Sequence, residues 1–497
     1  MFTYNITSDL INNDSLEKTE QKSDISKDQN HRINCNSSIL LIGNGFDLRA
    51  KIKSSFKDFL LHIIYTIAIH NYLDKDLFPN FEKSLLIDYV SSEKCPNNLR
   101  QIYRRMEENH ISPISSYIDF AKSKFGTLLL SKLLPNLYDA LVPKRGVIKF
   151  FNGQTEFFIG NSKPLYPLYS IYGLSNEKSE TEDFLKDISP QKLGKNVETF
   201  VILVDEEIAK NKQIDLWLDV ESVIEMVVTN SEELKEKYGF KENTSFITDN
   251  ASVKNYLKGL DLFEELLAYY LKEEEKSLDN TSDNFNNFFN NIQNNYLESL
   301  NKRSHLRIQD FDISNPSIVI NYNYTKVAEK LFQANGRFPK IHYVNGSLEI
   351  FDDIKVNEIK TNIVIGYTPS VKTSVQKDLY PFEKISRRVI KNTEYINIDA
   401  LIDKCLNNSQ KNGIKNDRYF ELTILGHSCG LADSDILKPL LSSKYLKTAV
   451  ILCHSVKDLI SIYNNIRSML DETVFNELMT YSPNKDMHNL YFSVENE

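Results

Sequence analysis

Apolar positions along this chain fall into two rhythms. The first is a short unbroken run that ends on glycine or a polar turn. Residues 38–43, Ser-Ile-Leu-Leu-Ile-Gly, set the pattern, and 317–320, 340–344, 362–365, 421–425 and 448–453 repeat it. Most of these runs are rich in β-branched residues, which suits strands. The unbroken apolar stretch of the first run predicts a buried strand of a parallel sheet. The second rhythm spaces apolar residues three and four apart, the interval of one helix face. It opens at 56–64, with Ser54 or Ser55 placed as the N-cap, and returns over 257–271 and 285–300. Shorter helical patterns occupy 327–332, 436–446 and 459–470, and a hairpin is predicted over 147–160, turning at Asn152-Gly153.

Strand and helix alternate around the first run and again after 311, whereas 55–310 reads as mainly helical. The expected fold is α/β: an open, mostly parallel sheet built from 37–54 and 311–497. A large, mostly helical insertion over 55–310 splits it. Residues 1–36 are rich in Asn, Asp, Ser, Lys and Glu and read as a disordered or loosely packed arm.

Composition narrows the function classes. The net charge of −9 argues against an extended nucleic-acid surface, which needs clustered Lys and Arg. Five scattered cysteines without a C-x-x-C pair fit reduced cytosolic thiols better than disulfides or a zinc site. Cys429 and Cys453 read as small core residues. No run approaches the ~20 apolar residues that cross a bilayer, and no basic-then-apolar leader opens the chain. A cytoplasmic protein is expected.

Chemistry concentrates where the apolar runs end. Gly43 and Gly45 follow the first run in Ile42-Gly-Asn-Gly-Phe-Asp47. Without Cβ atoms they allow a sharp turn and a close backbone approach to a ligand. Leu48 breaks the G-x-G-x-x-G spacing, so the motif suits a tight strand-to-helix turn as well as a cofactor loop. Asn321-Tyr-Asn-Tyr-Thr325 offers amides that either bind sugar hydroxyls or shape a turn. In Lys340-Ile-His-Tyr-Val-Asn-Gly-Ser347, His342 and Asn345 lie three apart and face opposite sides of a regular strand. Gly426-His-Ser-Cys-Gly430 matches G-x-S-x-G, which raises a serine hydrolase using Ser428. That reading needs an acid and a histidine on later strands, and just one convincing strand follows, with His454, Asp458, Asp471 and His488 around it. Asp433 and Asp435 read as caps of the next helix, Lys272 to Lys276 as a solvated face, and Trp217-Leu-Asp-Val-Glu221 as a packed anchor or a site wall. No paired Cys/His spacing suggests a metal.

Taken together, Leu41-Ile-Gly-Asn-Gly-Phe-Asp-Leu48, Ser55-Phe-Lys-Asp-Phe-Leu60, Trp217-Leu-Asp-Val-Glu221, Asn321-Tyr-Asn-Tyr-Thr325, Val344-Asn-Gly-Ser-Leu348, Leu425-Gly-His-Ser428 and Ala449-Val-Ile-Leu-Cys-His454 resemble the AbiH family of phage abortive-infection proteins. The same motif order is similar, more remotely, to sirtuin-like NAD-hydrolysing domains of other phage-defence systems. That resemblance implies a sirtuin-like, Rossmann-like sheet with NAD as substrate or ligand and no metal. It assigns Gly43, Asn44 and Gly45 to phosphate or ribose, and Asp47 to ribose or carboxamide. Phe46, Thr325, Gly346, Ser347, Gly426 and Ser428 complete the implied ligand site. Asn323 falls on the catalytic Asn, with Thr325 where an Asp is expected, and Asn345 stands where the catalytic His should be. An amide cannot take a proton as imidazole does, so His427 becomes the candidate base. The alternative is a module that senses a nucleotide or phage protein without turnover. Lys51 departs from a position that is usually glycine in the family. A phage-derived trigger or accessory defence protein, and a homo-oligomer, are the implied partners.

Overall fold

The computed structural model describes residues 37–73, 83–107, 114–133, 147–151, 154–158, scattered positions between 198 and 228, 250–276, 288–301, 313–348, 362–368, 377–391, 393, 397–411, 419–479 and 489–494. The predicted arm (1–36) and Trp217 lie outside them, as does His488. The described residues belong to one compact unit, Asn36–Glu497.

Six strands form a wholly parallel sheet: β1 (Ser37–Ile42), β4 (Ile318–Asn321), β5 (Lys340–Tyr343), β6 (Phe420–Leu425), β7 (Leu446–Cys453) and β8 (Asn489–Val494). They lie in the order β5-β4-β1-β6-β7-β8, so the chain builds outward from β1 in one direction and then in the other. β2 (Val147–Phe151) and β3 (Gln154–Phe158) are the predicted hairpin, antiparallel and separate from this sheet.

The unbroken apolar runs are explained by burial on both faces. Ile39 and Leu41 point into a core with Ile320, Leu422 and Ile424, covered by α11 (Ile398–Lys411), α12 (Ser434–Leu441), α13 (Val456–Met469) and α14 (Glu472–Met479). Leu40 and Ile42 point the other way, with Val319, Leu425 and Leu452, under α8 (Phe288–Asn301) and α9 (Val327–Ala334). A strand sends alternate side chains to opposite faces, so only an all-apolar run serves two cores.

Between β1 and β4 the chain forms a third core. It contains α2 (Phe56–Leu73), α3 (Lys83–Ser91), α4 (Asn97–Glu107), α5 (Ile114–Lys122), α6 (Lys124–Leu133) and the long α7 (Asn250–Lys276). α7 buries Tyr256, Leu260, Phe263, Leu267 and Tyr270, a stripe at three- and four-residue spacing. Phe263 meets the rings of Phe56, Phe59, Phe120 and Phe125. Ser55 is the N-cap of α2: its hydroxyl accepts from the Asp58 amide at 3.1 Å and donates to the Asp58 carboxylate at 2.5 Å.

Three expectations need correction. Residues 362–365 are extended but are not part of any described strand. The Val364 amide goes to Asn345 O at 2.9 Å and the Ile365 amide to Glu264 of α7 at 2.8 Å, so this segment is tied to the helical core instead. Two strands, not one, follow Gly430, because Asn489–Val494 joins as β8. The Lys272–Lys276 run is not a solvated face throughout: Glu274 and Glu275 are buried, and Glu275 accepts from the Lys326 amide.

Candidate functional site

The order of the sheet reverses between β1 and β6. Crossovers that leave to opposite sides open a crevice there at the strands' carboxyl ends. A cavity of about 550 Å³ occupies this place, within the range of small-molecule sites. It is lined by the turns after β1, β4, β5 and β6, and by residues of the insertion and of α13.

The turn after β1 and the turn after β6 are welded together by glycine. The Gly43 amide donates to Leu425 O at 3.1 Å and the Gly45 amide to Gly426 O at 2.8 Å. A Cβ on Gly43 would lie 2.7 Å from Gly426 O, and one on Gly45 would lie 2.7 Å from Gly426 Cα. Gly426 itself adopts φ +66°. The glycines are therefore required by turn-to-turn packing, and their N–H groups are already used by the protein. Lys51 occupies the left-handed region at φ +64°, which is the physical reason a glycine suits that position.

Asp47 joins the turn after β1 to the turn after β4. Its Oδ1 accepts from Asn323 Nδ2 at 2.9 Å and its Oδ2 from Thr325 Oγ1 at 2.5 Å. The second hydrogen of the Asn323 amide goes to Gly43 O at 3.0 Å. Burial pushes the Asp47 carboxyl up to about 7. The bonds from Thr325 and Asn323 oppose that rise, and the charge of Glu275 adds to it.

Asn345 lines the cavity and accepts from Arg388 at 3.1 Å, while His342 does not line it. Phe46, Gly346 and Ser347 are also absent from the lining. Phe46 is buried beneath the turn against Phe288 and Phe289. Gly346, at φ +82°, and Ser347 hold the β5 turn to residue 362, with the Ser347 amide 3.1 Å from Asn362 Oδ1. The lining does include Gly43, Asn44, Gly45, Asp47, Asn323, Thr325, Asn345, Gly426, His427 and Ser428.

His427 has no nitrogen to spare. Nδ1 accepts from the Cys429 amide at 3.0 Å, which places the ring proton on Nε2, 3.3 Å from Asp433 Oδ2. The ring lies against Tyr322, with centroids 4.3 Å apart. Ser428 is no strained elbow, since the positive φ values in this turn belong to Gly426 and Cys429. Its carbonyl accepts from Asn465 of α13 at 2.9 Å.

Sequence reasoning missed a charged group across the cavity. Asp433 sits at the N-cap position of α12 but makes no side-chain cap bond. Its carboxylate turns inward to His427 and to Lys384 Nζ, 2.6 Å away. Lys384 opens α10 (Lys384–Ile390) and also reaches Glu221 Oε1 at 2.8 Å. Burial works against the charge on Asp433, but Lys384 and His427 outweigh it and hold that carboxyl below the usual range. Glu221 is pushed up to about 7 by burial, against the pull of Lys384 and with the repulsion of Asp433. α10 is anchored to α7: Arg387 donates to Glu264 and to Asp261. Lys384 belongs to no recognisable motif; only the acidic residues could have been flagged from the sequence.

A parallel sheet with helices on both faces and a cavity at its switch point defines a mixed α/β protein. Residues 39–454 match the model of the family described as Bacteriophage abortive infection AbiH, and the chain belongs to that family. Membership gives it a role in phage abortive infection. Neither a curated protein nor a solved structure matches the chain. Among the described residues, no helix is long and apolar enough to cross a membrane and no cluster of metal-ligating side chains occurs.

Proposed function

We propose that the chain is a cytoplasmic abortive-infection effector whose cavity binds NAD or a related nucleotide and hydrolyses it in a sirtuin-like manner. The observation that supports this reading is the convergence of four polar strand ends on one cavity at the switch point. The strand order, counted along the chain as 3-2-1-4-5-6, is that of Rossmann-like dinucleotide folds. Arg49 lines the cavity, its Nη2 2.7 Å from Tyr296 OH, and supplies a cation for a pyrophosphate. Asn44, Asn323 and Asn345 supply amides for ribose or carboxamide. The insertion serves as lid and sensor of a phage-derived trigger, and the working form is a homo-oligomer.

A second reading, a nucleotide sensor without turnover, draws on His427, whose nitrogens are both engaged. Incubating the purified protein with NAD, with and without extract of phage-infected cells, separates the two. Nicotinamide release that falls at least ~100-fold in Asn323→Ala supports the hydrolase. Thermal stabilisation by NAD with no release in either condition supports the sensor. Absence of both stabilisation and release refutes the nucleotide site.

A further inference from the structure

The cavity contains a carboxylate that the protein leaves half satisfied. Glu221 comes from the stretch between the hairpin and α7, far in sequence from every strand of the large sheet. Its Oε1 is held by Lys384 Nζ at 2.8 Å. Its Oε2 is buried without a hydrogen-bond partner, although the residue lines the cavity. Tyr322, which is 6% exposed and lines the same cavity, also has a hydroxyl without a partner. Buried polar atoms are almost always paired. An acceptor and a hydroxyl left open in one cavity call for an occupant that both donates and accepts, such as a water or a sugar hydroxyl.

Three other titratable groups of the cavity, Asp433, His427 and Asp47, are committed elsewhere. Asp433 gives Oδ1 to Lys384 and Oδ2 to His427. His427 uses both nitrogens, and Asp47 gives one oxygen to Asn323 and the other to Thr325. Glu221 alone among these four is a residue of the cavity wall with an oxygen that has no partner.

We propose that Glu221 is the general base of this site, taking the proton of the water that attacks the anomeric carbon of the nucleotide's ribose. The inference rests on the nucleotide-hydrolase reading above. In the step, a water oxygen forms the new bond to the anomeric carbon and its proton passes to Glu221 Oε2. The bond to the pyridinium nitrogen breaks with its electron pair returning to the ring, so neutral nicotinamide leaves. The proton on Glu221 then passes to solvent. Lys384 is a positioning residue that fixes the rotamer of the carboxylate through Oε1.

The base must be ionised to act. The charged and titratable groups around it are Lys384 and Arg388 from α10, Asp433 with His427 behind it, and Tyr324 after β4. With the Glu221 carboxyl at about 7, turnover rises with pH and levels off above that value.

Glu221→Gln tests this directly, because the amide oxygen still accepts from Lys384 and the fold is kept. Expected are nicotinamide release lowered by ~10²–10⁴-fold, KM and the NAD-induced thermal shift nearly unchanged, and loss of the break near pH 7. In Glu221→Ala, added formate should restore part of the turnover as an external base. Turnover within a few-fold of wild type with the same pH break would overturn the proposal, as would loss of NAD binding with no formate rescue. Wild-type turnover tests the hydrolase reading, whereas the ratio of variant to wild type tests the assignment of Glu221. A wild type that never releases nicotinamide removes both.

Discussion

Replacing Lys384 with methionine keeps most of its aliphatic bulk and deletes its charge. In the native protein the Lys384 side chain is 3% exposed, and the partner carboxylates of Glu221 and Asp433 are 13% and 12% exposed. At an effective dielectric constant of ~20, each of the two contacts is worth about 6 kcal/mol of Coulomb attraction. Most of that is returned to desolvation, so the cost of the substitution is set by what remains. Two buried carboxylates are left facing one cavity without their cation, and breaking such a pair costs about 3–5 kcal/mol. A unit of this length unfolds with an entropy of about 1 kcal/mol/K, which turns the loss into a melting shift of about 3–5 °C. The pH dependence gives the sharper test. With Lys384 present the folded Asp433 carboxyl lies below its unfolded value of 3.8. Its contribution is then present above that value and lost as pH falls toward the folded one. Without Lys384, burial dominates and the folded value rises above the unfolded one. The same group then stabilises only in acid, and that contribution is lost as pH climbs. Urea unfolding of both proteins should show a gap that is small near pH 5 and full by pH 8. A gap below ~1 kcal/mol at pH 8, or one that does not change with pH, would refute the reasoning.

Three further substitutions probe the turns, one of them as a control. Gly426→Ala combines φ +66° with a Cβ only 2.5 Å from the Phe46 amide nitrogen, so a loss of about 2–5 kcal/mol is expected in urea unfolding. Gly336→Ala is the control: it shares φ +66° but meets nothing within 4 Å, and should lose about 1–2 kcal/mol. Thr325→Val removes the donor to Asp47 Oδ2 and should cost about 1.5–3 kcal/mol at pH 8. The folded Asp47 carboxyl is raised to about 7, so its contribution is complete below its unfolded value and lost as pH rises through about 7. The Thr325 bond favours the ionised form, hence the loss should shrink by pH 6; equal losses at both values would show that Asp47 does not titrate there.

Much of the fold was legible in the chain. The run at 39–42 is apolar at every position of both parities, and only a doubly covered strand has use for that. The three- and four-residue stripe of 257–271 became α7 as expected. Residues 362–365 were misread because an extended apolar segment looks alike whether its amides meet a strand or, as here, Asn345 and Glu264. Asp433 was misread because an acidic residue before a helix carries the signature of a cap, and the sequence does not say which way its side chain turns.

The glycine turn shows the same division. By itself the sequence determined that Gly43 and Gly45 end a buried strand, and that polar residues end the others. Local pattern is enough for that, since burial and turn chemistry act over a few residues. Which groups those turns spend on one another was decided only by the tertiary structure. Gly43 and Gly45 face Gly426 across nearly four hundred residues of chain, and the Asp47 carboxylate is consumed by Asn323 and Thr325. Glu221 and Lys384 meet because α7 grips α10 through Arg387 and Glu264. Electrostatic contact depends on distance in space, and sequence separation carries no information about it.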